Sequence, residues 1–130
     1  MPTNETGIET IRAVADTIWK RLAEAEEAAG LPFKDITIRS DSPITVTAHL
    51  YGGDVDCDAA EVAASVRWVS DAMEGSFETS GPYACSAQPS GQQVGVRAHF
   101  ERDGVQFTVK ALIDADAYEK SRPRPAEVAA

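Results

Sequence analysis

The chain has 130 residues, the usual size of one domain with a single hydrophobic core. Twenty-one acidic residues against twelve basic ones give a formal net charge of -9, which argues against nucleic-acid binding through a basic face and against attachment to anionic lipid. No apolar run approaches the roughly 20 residues of a membrane span, and residues 1–6 lack the pattern of a signal peptide. We therefore expect a cytoplasmic protein with no direct nucleic-acid or membrane partner.

The first predicted element is a long amphipathic helix. Thr6 and Glu9 have the spacing of a capping box, Gly30 is placed for a C-terminal cap, and Pro32 blocks continuation. Apolar residues recur between the caps at intervals of three and four, which predicts one buried stripe: Ile8, Ile11, Ala15, Ile18, Leu22, Ala25 and Ala29. Trp19 lies at the edge of this stripe, where it either extends the core or faces a partner.

A hairpin is predicted next. Residues 36–39 and 44–51 alternate between apolar and polar side chains, as a strand with one buried face does. The polar side of the second strand includes Thr47, His49 and Tyr51. These three side chains are therefore candidates for a binding surface.

A second helix follows this hairpin. Asp58 and Glu61 form another capping-box pattern, and Gly75 closes the helix. Its predicted buried stripe is Ala59, Val62, Val66, Val69 and Met73. Trp68 lies beside this stripe, in a position similar to that of Trp19.

The last two strands form the clearest pair. Residues 76–79 predict a short strand, and residues 80–92, which carry no charge, predict a long loop. Residues 94–101 and 105–113 then alternate strictly around Asp103-Gly104, a strong hairpin signal.

A two-residue turn at that point sets the register of the hairpin. His99 then lies opposite Thr108, and Arg97 lies opposite Lys110 on the same polar face. Like charges opposite one another are unfavourable, so we expect an acidic neighbour or partner beside Arg97 and Lys110.

The element order α-β-β-α-(β)-β-β predicts an α+β fold, with an antiparallel sheet of four to five strands and two helices packed on one face. We expect a single domain over residues 1–116. Residues 117–130 include Ser-Arg-Pro-Arg-Pro and small residues, which predicts a disordered C-terminal tail. The sheet face away from the helices is expected to be polar.

No group of residues has the spacing of a catalytic or metal site. Cys57 and Cys85 lack zinc-site spacing, and two free thiols are expected, although a disulfide stays open. The acidic patch lacks the glycine and the bidentate glutamate of a calcium loop; its members are Asp54, Asp56, Asp58 and Glu61. We therefore predict no cofactor, no metal and no catalytic residue, which favours a protein that is not an enzyme without deciding the matter.

The C-terminal half carries a resemblance in two segments. They read Trp68-Val69 with Ala72-Met73-Glu74-Gly75-Ser76-Phe77-Glu78, and Gly104-Val105-Gln106-Phe107-Thr108-Val109-Lys110-Ala111. This pattern resembles small uncharacterised α+β proteins of actinobacteria and their phages, in which a helix ends in glycine, a hydroxyl residue and an aromatic residue before a hairpin. The resemblance implies a source among these organisms and no particular activity.

Three hypotheses about function follow. The first is a non-enzymatic protein-interaction or accessory, chaperone-like protein that forms a homodimer. The candidate ligand or partner surface is Thr47, His49, Tyr51, Arg97, His99, Thr108, Trp19 and Trp68. The second is an acidic immunity or anti-defence inhibitor that mimics nucleic-acid charge, centred on the acidic patch. The third is a small-ligand binder or enzyme with a pocket between the sheet and the long loop, which requires His49, His99 or Cys85 to converge.

Overall fold

The computed structural model describes residues 7–40, 43–50 and 59–121. Within these ranges the elements are α1 (Gly7–Ala29), β1 (Asp35–Arg39), β2 (Thr45–His49), α2 (Ala59–Ala72), β3 (Ser76–Ala84), β4 (Gln92–Arg102), β5 (Val105–Asp114) and α3 (Ala115–Ser121). The predicted α+β fold is confirmed, with one five-stranded sheet and its helices packed over one face. None of the helices in these ranges is long and apolar enough to cross a membrane.

The strands are ordered β1-β2-β5-β4-β3, and every neighbouring pair is antiparallel except β2 and β5, which run parallel. The prediction of a sheet that is antiparallel throughout is corrected at this pair. The parallel pairing follows from the crossover through α2. This helix returns the chain to the end of the sheet where β2 began, so β3 runs in the same direction as β2. After two antiparallel pairings β5 has that direction again, so it meets β2 in parallel.

The helix-covered face of the sheet is apolar. Its buried strand residues are Val46, Ala48, Val94, Val96, Ala98, Phe100, Val105, Phe107, Val109, Ala111 and Ile113. The helices bury most of the residues that their stripes predict, namely Ile18, Leu22, Ala25 and Ala29 from α1, Val62, Val66 and Val69 from α2, and Met73 directly after α2. This face is therefore the core of the domain.

The hairpin of β4 and β5 has the predicted register. Phe100 pairs with Phe107, and their rings stack with centroids 4.9 Å apart. The turn residues Asp103 and Gly104 have φ angles of 58° and 79°. Two successive positive φ angles are what a tight hairpin turn of this kind requires, and Asp-Gly supplies them at low cost.

Helix α1 keeps the predicted C-terminal cap but not the full buried stripe. Gly30 has a φ of 74°, and its amide donates a hydrogen bond to the carbonyl of Glu26 at 3.1 Å. Ile18 is fully buried, whereas Ile8 at the start of the stripe is 70% exposed. The N-terminal capping residue, Thr6, lies outside the described residues.

Strand β3 is longer than the sequence indicates. It continues to Ala84 and pairs with β4 on both sides of an irregularity between Ser80 and Tyr83. The predicted loop over 80–92 is therefore reduced to a turn, which is closed by a hydrogen bond from the amide of Cys85 to the carbonyl of Gly91 at 2.9 Å. Glycine and proline within this stretch are typical of turns, but an edge strand with a bulge accommodates them.

The chain stays helical beyond residue 116. Asp114 ends β5 and is buried, and its carboxylate accepts hydrogen bonds from the amides of Ser90 at 2.8 Å and Ala117 at 3.2 Å. These bonds, that from Ser90 above all, lower the pKa of Asp114. Residues 117–121, which we predicted to belong to a tail, thus form most of α3, and residues 122–130 lie outside the described residues.

Candidate functional site: the open face of the sheet

One face of the sheet carries no helix within the described part of the chain, and we call it the open face. Its side chains come from the strand residues that alternate with the buried ones. The strand register places fourteen of them in three rows. The first row is Asp35, His49, Lys110, Arg97 and Glu78; the central row is Thr37, Thr47, Thr108, His99 and Ser76; the third row is Arg39, Thr45, Gln106 and Glu101.

The open face contains most of the strand residues predicted as a binding surface. Five of them occupy neighbouring places in the first and central rows: Thr47, His49, Arg97, His99 and Thr108. All five are partly buried by their neighbours and partly accessible. The remaining strand residue of that prediction, Tyr51, lies outside the described residues.

The first row supplies the acidic neighbour that the sequence leads us to expect. Arg97 does lie opposite Lys110. On the edge strand β3, Glu78 Oε1 is 3.5 Å from Arg97 Nε, and on the other edge Asp35 Oδ1 is 2.8 Å from His49 Nδ1. Lys110 makes no ion pair with any residue that the structure describes. The row therefore holds two central cations, with one acidic residue at each edge.

His99 connects the first row to the central row. Its Nε2 lies 2.8 Å from Glu78 Oε1, and its Nδ1 lies 2.9 Å from Thr108 Oγ1. The hydrogen bond with His99 is the largest cause of the lowered pKa of Glu78, and the electrostatic interactions with His99 and Arg97 act in the same direction. Arg97 Nε is shielded from solvent and has no hydrogen-bond partner among the described residues.

The two histidines and Cys85 do not converge. Strand β5 separates His49 from His99, and each imidazole is held by its own carboxylate. Cys85 follows the end of β3 that lies farthest from His99, roughly 24 Å away at about 3.4 Å per strand residue. Within the described ranges no three potential ligands are grouped to hold a metal ion. This arrangement supports neither a metal site nor an activated thiol.

Both tryptophans lie on helices and therefore apart from the open face. Trp19 is 53% exposed on α1, and Trp68 is 51% exposed on α2. A Cβ atom added at Gly30 would lie 3.9 Å from the ring of Trp68, so this tryptophan flanks the end of α1. The seven described residues of the predicted surface are thus divided between the helix side and the strand side of the molecule.

Only one member of the acidic patch can be placed. Glu61 is exposed in the first turn of α2. The other three lie outside the described residues: Asp54, Asp56 and Asp58. Of the fourteen residues in the three rows, three are basic and three are acidic, so these rows contribute nothing to the net charge of -9.

Sequence reasoning did not include Asp35 and Glu78 in the surface, although both hold histidines in place. Asp35 precedes Ile36 and follows the same alternation as the rest of β1, so the pattern contains the signal. Glu78 lies on the strand whose extent the sequence left uncertain. Its role depends on the pairing of β3 with β4, which is a tertiary contact.

Comparison of the chain with protein-family models, curated proteins and solved structures finds no match. The functional argument therefore depends on the geometry and charge of the open face.

Proposed function

We propose that this chain is a non-enzymatic protein-interaction or accessory protein of the cytoplasm, chaperone-like in the sense that it binds a protein partner, and that it associates with itself as a homodimer. The observation that carries the proposal is the open face, a five-stranded surface without a helix over it in the described part of the chain. The resemblance to small proteins of actinobacteria and their phages adds no activity.

The composition of the open face favours a protein partner. Its three rows hold four threonines, two histidines, one serine and one glutamine, and their three basic residues balance three acidic ones, so the rows have no excess of the basic groups that bind phosphate. It is a broad face whose depression beside His99, Glu101, Gln106 and Thr108 is open to solvent, whereas small ligands bind in enclosed, concave sites. Polar faces of this type dock proteins through hydrogen bonds and bridging water.

Site-specific photo-cross-linking tests this proposal. A photo-reactive amino acid is introduced at Thr47, in the middle of the open face, and at Ala23, an exposed position of α1 that serves as the matched control. Both variants are expressed in an actinobacterial host. We expect a discrete cross-linked species from position 47 and none from position 23, and the mass of that species separates a homodimer from a complex with another protein.

The opposite pattern would exclude the open face. Cross-links from position 23 alone would move the docking surface to the helices. An absence of cross-links from both positions in the folded protein would contradict the interaction function itself. Circular dichroism of each variant confirms that the fold is intact.

The described residues support the two alternative functions less well than an interaction protein. An acidic inhibitor rests on a patch of which Glu61 alone is described, and the open face is neutral. A ligand binder or enzyme requires His49, His99 or Cys85 to converge, and strand β5 and the length of β3 keep them apart.

A further inference from the structure

We propose that the occupant of the open face is a second copy of this chain, docked face to face about a two-fold axis that runs along the central row. The inference rests on the proposed function and specifies its partner and its contacts. In this arrangement each strand crosses its own copy in the antiparallel direction, and the first row of one protomer faces the third row of its partner.

The charge pattern of the strands is the first argument. On β4 the central residue His99 is flanked by Arg97 on one side and Glu101 on the other. A two-fold axis through the central row therefore brings Arg97 opposite the partner's Glu101, and the symmetry makes this contact twice. On β1 the residues that flank Thr37 are Asp35 and Arg39, which also have opposite charges.

No strand places like charges at both flanking positions. On β5 the residues are Lys110 and Gln106, and on β2 they are His49 and Thr45. When the first row of one protomer faces the third row of its partner, no like-charge pair arises on the four strands that have residues in both of these rows. In addition, this arrangement gives Lys110, which lacks an ion pair among the described residues, a polar group to face.

The other simple two-fold arrangement is disfavoured by the same charges. An axis parallel to β5 would bring Lys110 onto its own copy, and it would bring Asp35 opposite the partner's Glu78. Like charges that meet in an interface weaken it strongly. The charge pattern therefore distinguishes one face-to-face arrangement from the other.

Shape and net charge are compatible with this pairing. The central row consists mainly of short hydroxyl side chains, which allow two sheets to approach to about 10 Å. Packed sheets keep their strands within about 30° of one another, so the contacts of the middle strands persist when the sheets rotate. Although the chain carries a charge of -9, the open face is neutral, and its approach to a copy is opposed only by charges elsewhere.

The size of the face sets the expected affinity. The three rows supply fourteen positions, fewer than the roughly 20–30 residues per side of a standard interface. We therefore expect a dissociation constant in the micromolar range, in which sedimentation velocity resolves monomer from dimer.

A charge-exchange experiment tests the pairing. We expect Arg97→Glu and Glu101→Arg each to weaken the homodimer by about 100-fold or more, because each variant places like charges at both symmetric contacts. When the two variants are mixed, one protomer carries two acids and the other two bases, so the heterodimer regains both ion pairs. Its dissociation constant should lie within about tenfold of the wild-type value.

Gln106→Glu provides a second measurement, in which the substitution is expected to strengthen the dimer rather than to weaken it. This residue faces the partner's Lys110, so the substitution should tighten the dimer by about tenfold although it makes each protomer more acidic. A dimer governed by net charge would respond in the opposite direction. The sign of the change therefore separates the specific contact from general repulsion.

The outcomes distinguish this inference from the function on which it rests. If none of the three substitutions changes the dissociation constant of the dimer, the proposed pairing is wrong and the interface lies on an edge strand or on the helices. A wild-type chain that stays monomeric overturns the pairing as well, whereas a cross-link to a different protein from position 47 keeps the interaction function. A mixture that stays monomeric, with both variants folded by circular dichroism, also excludes the proposed contacts.

Discussion

The two faces of the sheet are built by the same five strands, with side chains that alternate one residue apart, yet they differ in burial and polarity. The helix-covered face buries aromatic and branched side chains, and Phe107 and Val109 on β5 are almost completely inaccessible. Between them Thr108 points to the open face, where its Oγ1 lies 2.9 Å from Nδ1 of His99. We therefore expect that substitutions at neighbouring positions can change the stability of the core and the proposed recognition by the open face separately.

The largest expected difference between the faces is on β5. Phe107→Ala removes a buried ring stacked on Phe100 and should lower the free energy of unfolding by about 3–5 kcal/mol. Thr108→Ala removes one hydrogen bond to His99 and should cost about 1 kcal/mol or less. Urea denaturation of both variants measures the contrast. If the two variants lost equal amounts of unfolding free energy, the two faces would not differ in their contribution to stability.

A second substitution acts at the start of β3. A Cβ atom at Gly75 would lie 2.0 Å from the carbonyl oxygen of His99, so Gly75→Ala must displace backbone and should cost about 1–3 kcal/mol.

Gly95→Ala is the matched control for this change. There the nearest atom is the hydroxyl of Ser80, a side chain that can rotate, so the loss should be about 1 kcal/mol or less. Amide chemical shifts should change at Ser76 and His99 in the Gly75 variant. Unfolding midpoints that match in the two variants would contradict the close approach of β3 to β4.

Asp114 is the exception to the alternation, because its position on β5 belongs to the open side and yet it is buried. Its pKa is lowered in the folded state, so its carboxylate stabilises the fold above the unfolded pKa and loses this effect as the pH falls through the folded pKa. We expect Asp114→Asn to lower the melting temperature at pH 7 and to reduce the loss of stability below about pH 4. An unchanged dependence on pH would mean that the bonds to Ser90 and Ala117 do not favour the charged form.

The smallest expected effect lies on the open face itself. Glu78 is exposed, and its pKa is lowered by the hydrogen bond with His99. His99→Gln should raise the pKa of Glu78 toward its ordinary value, whereas Thr45→Gln in the third row should leave it unchanged. Carboxyl titration by carbon NMR measures both. A pKa of Glu78 that does not respond to the loss of His99 would contradict the hydrogen bond between them.

Local patterns account for the parts of the fold that the sequence predicts. The turn at Asp103 and Gly104 aligns two alternating strands, and it thereby places Arg97 opposite Lys110 without any knowledge of the rest of the chain. The stripe of α1 predicts the residues buried from Ile18 onward. Most residues of the candidate surface were predicted in the same way, because alternation assigns each strand residue to a face.

Tertiary contacts account for what was missed. The parallel pairing of β2 with β5 joins segments far apart in the sequence, and no local pattern encodes it. Strand β3 extends through Gly81 and Pro82 because β4 holds it in place. Helix α3 begins where Asp114 meets the amide of Ser90, a contact between residues separated by 24 positions. The same long-range pairing brings Glu78 to His99.

The parallel pair also has a consequence for the order of synthesis. More than fifty residues separate β2 from β5, so β2 leaves the ribosome well before β5, its parallel partner, has been synthesised. At about 5–20 residues per second, this delay is roughly 3–12 s. During that interval the inner edge of β2 has no strand to pair with, and the sheet closes only when the last strand has been translated.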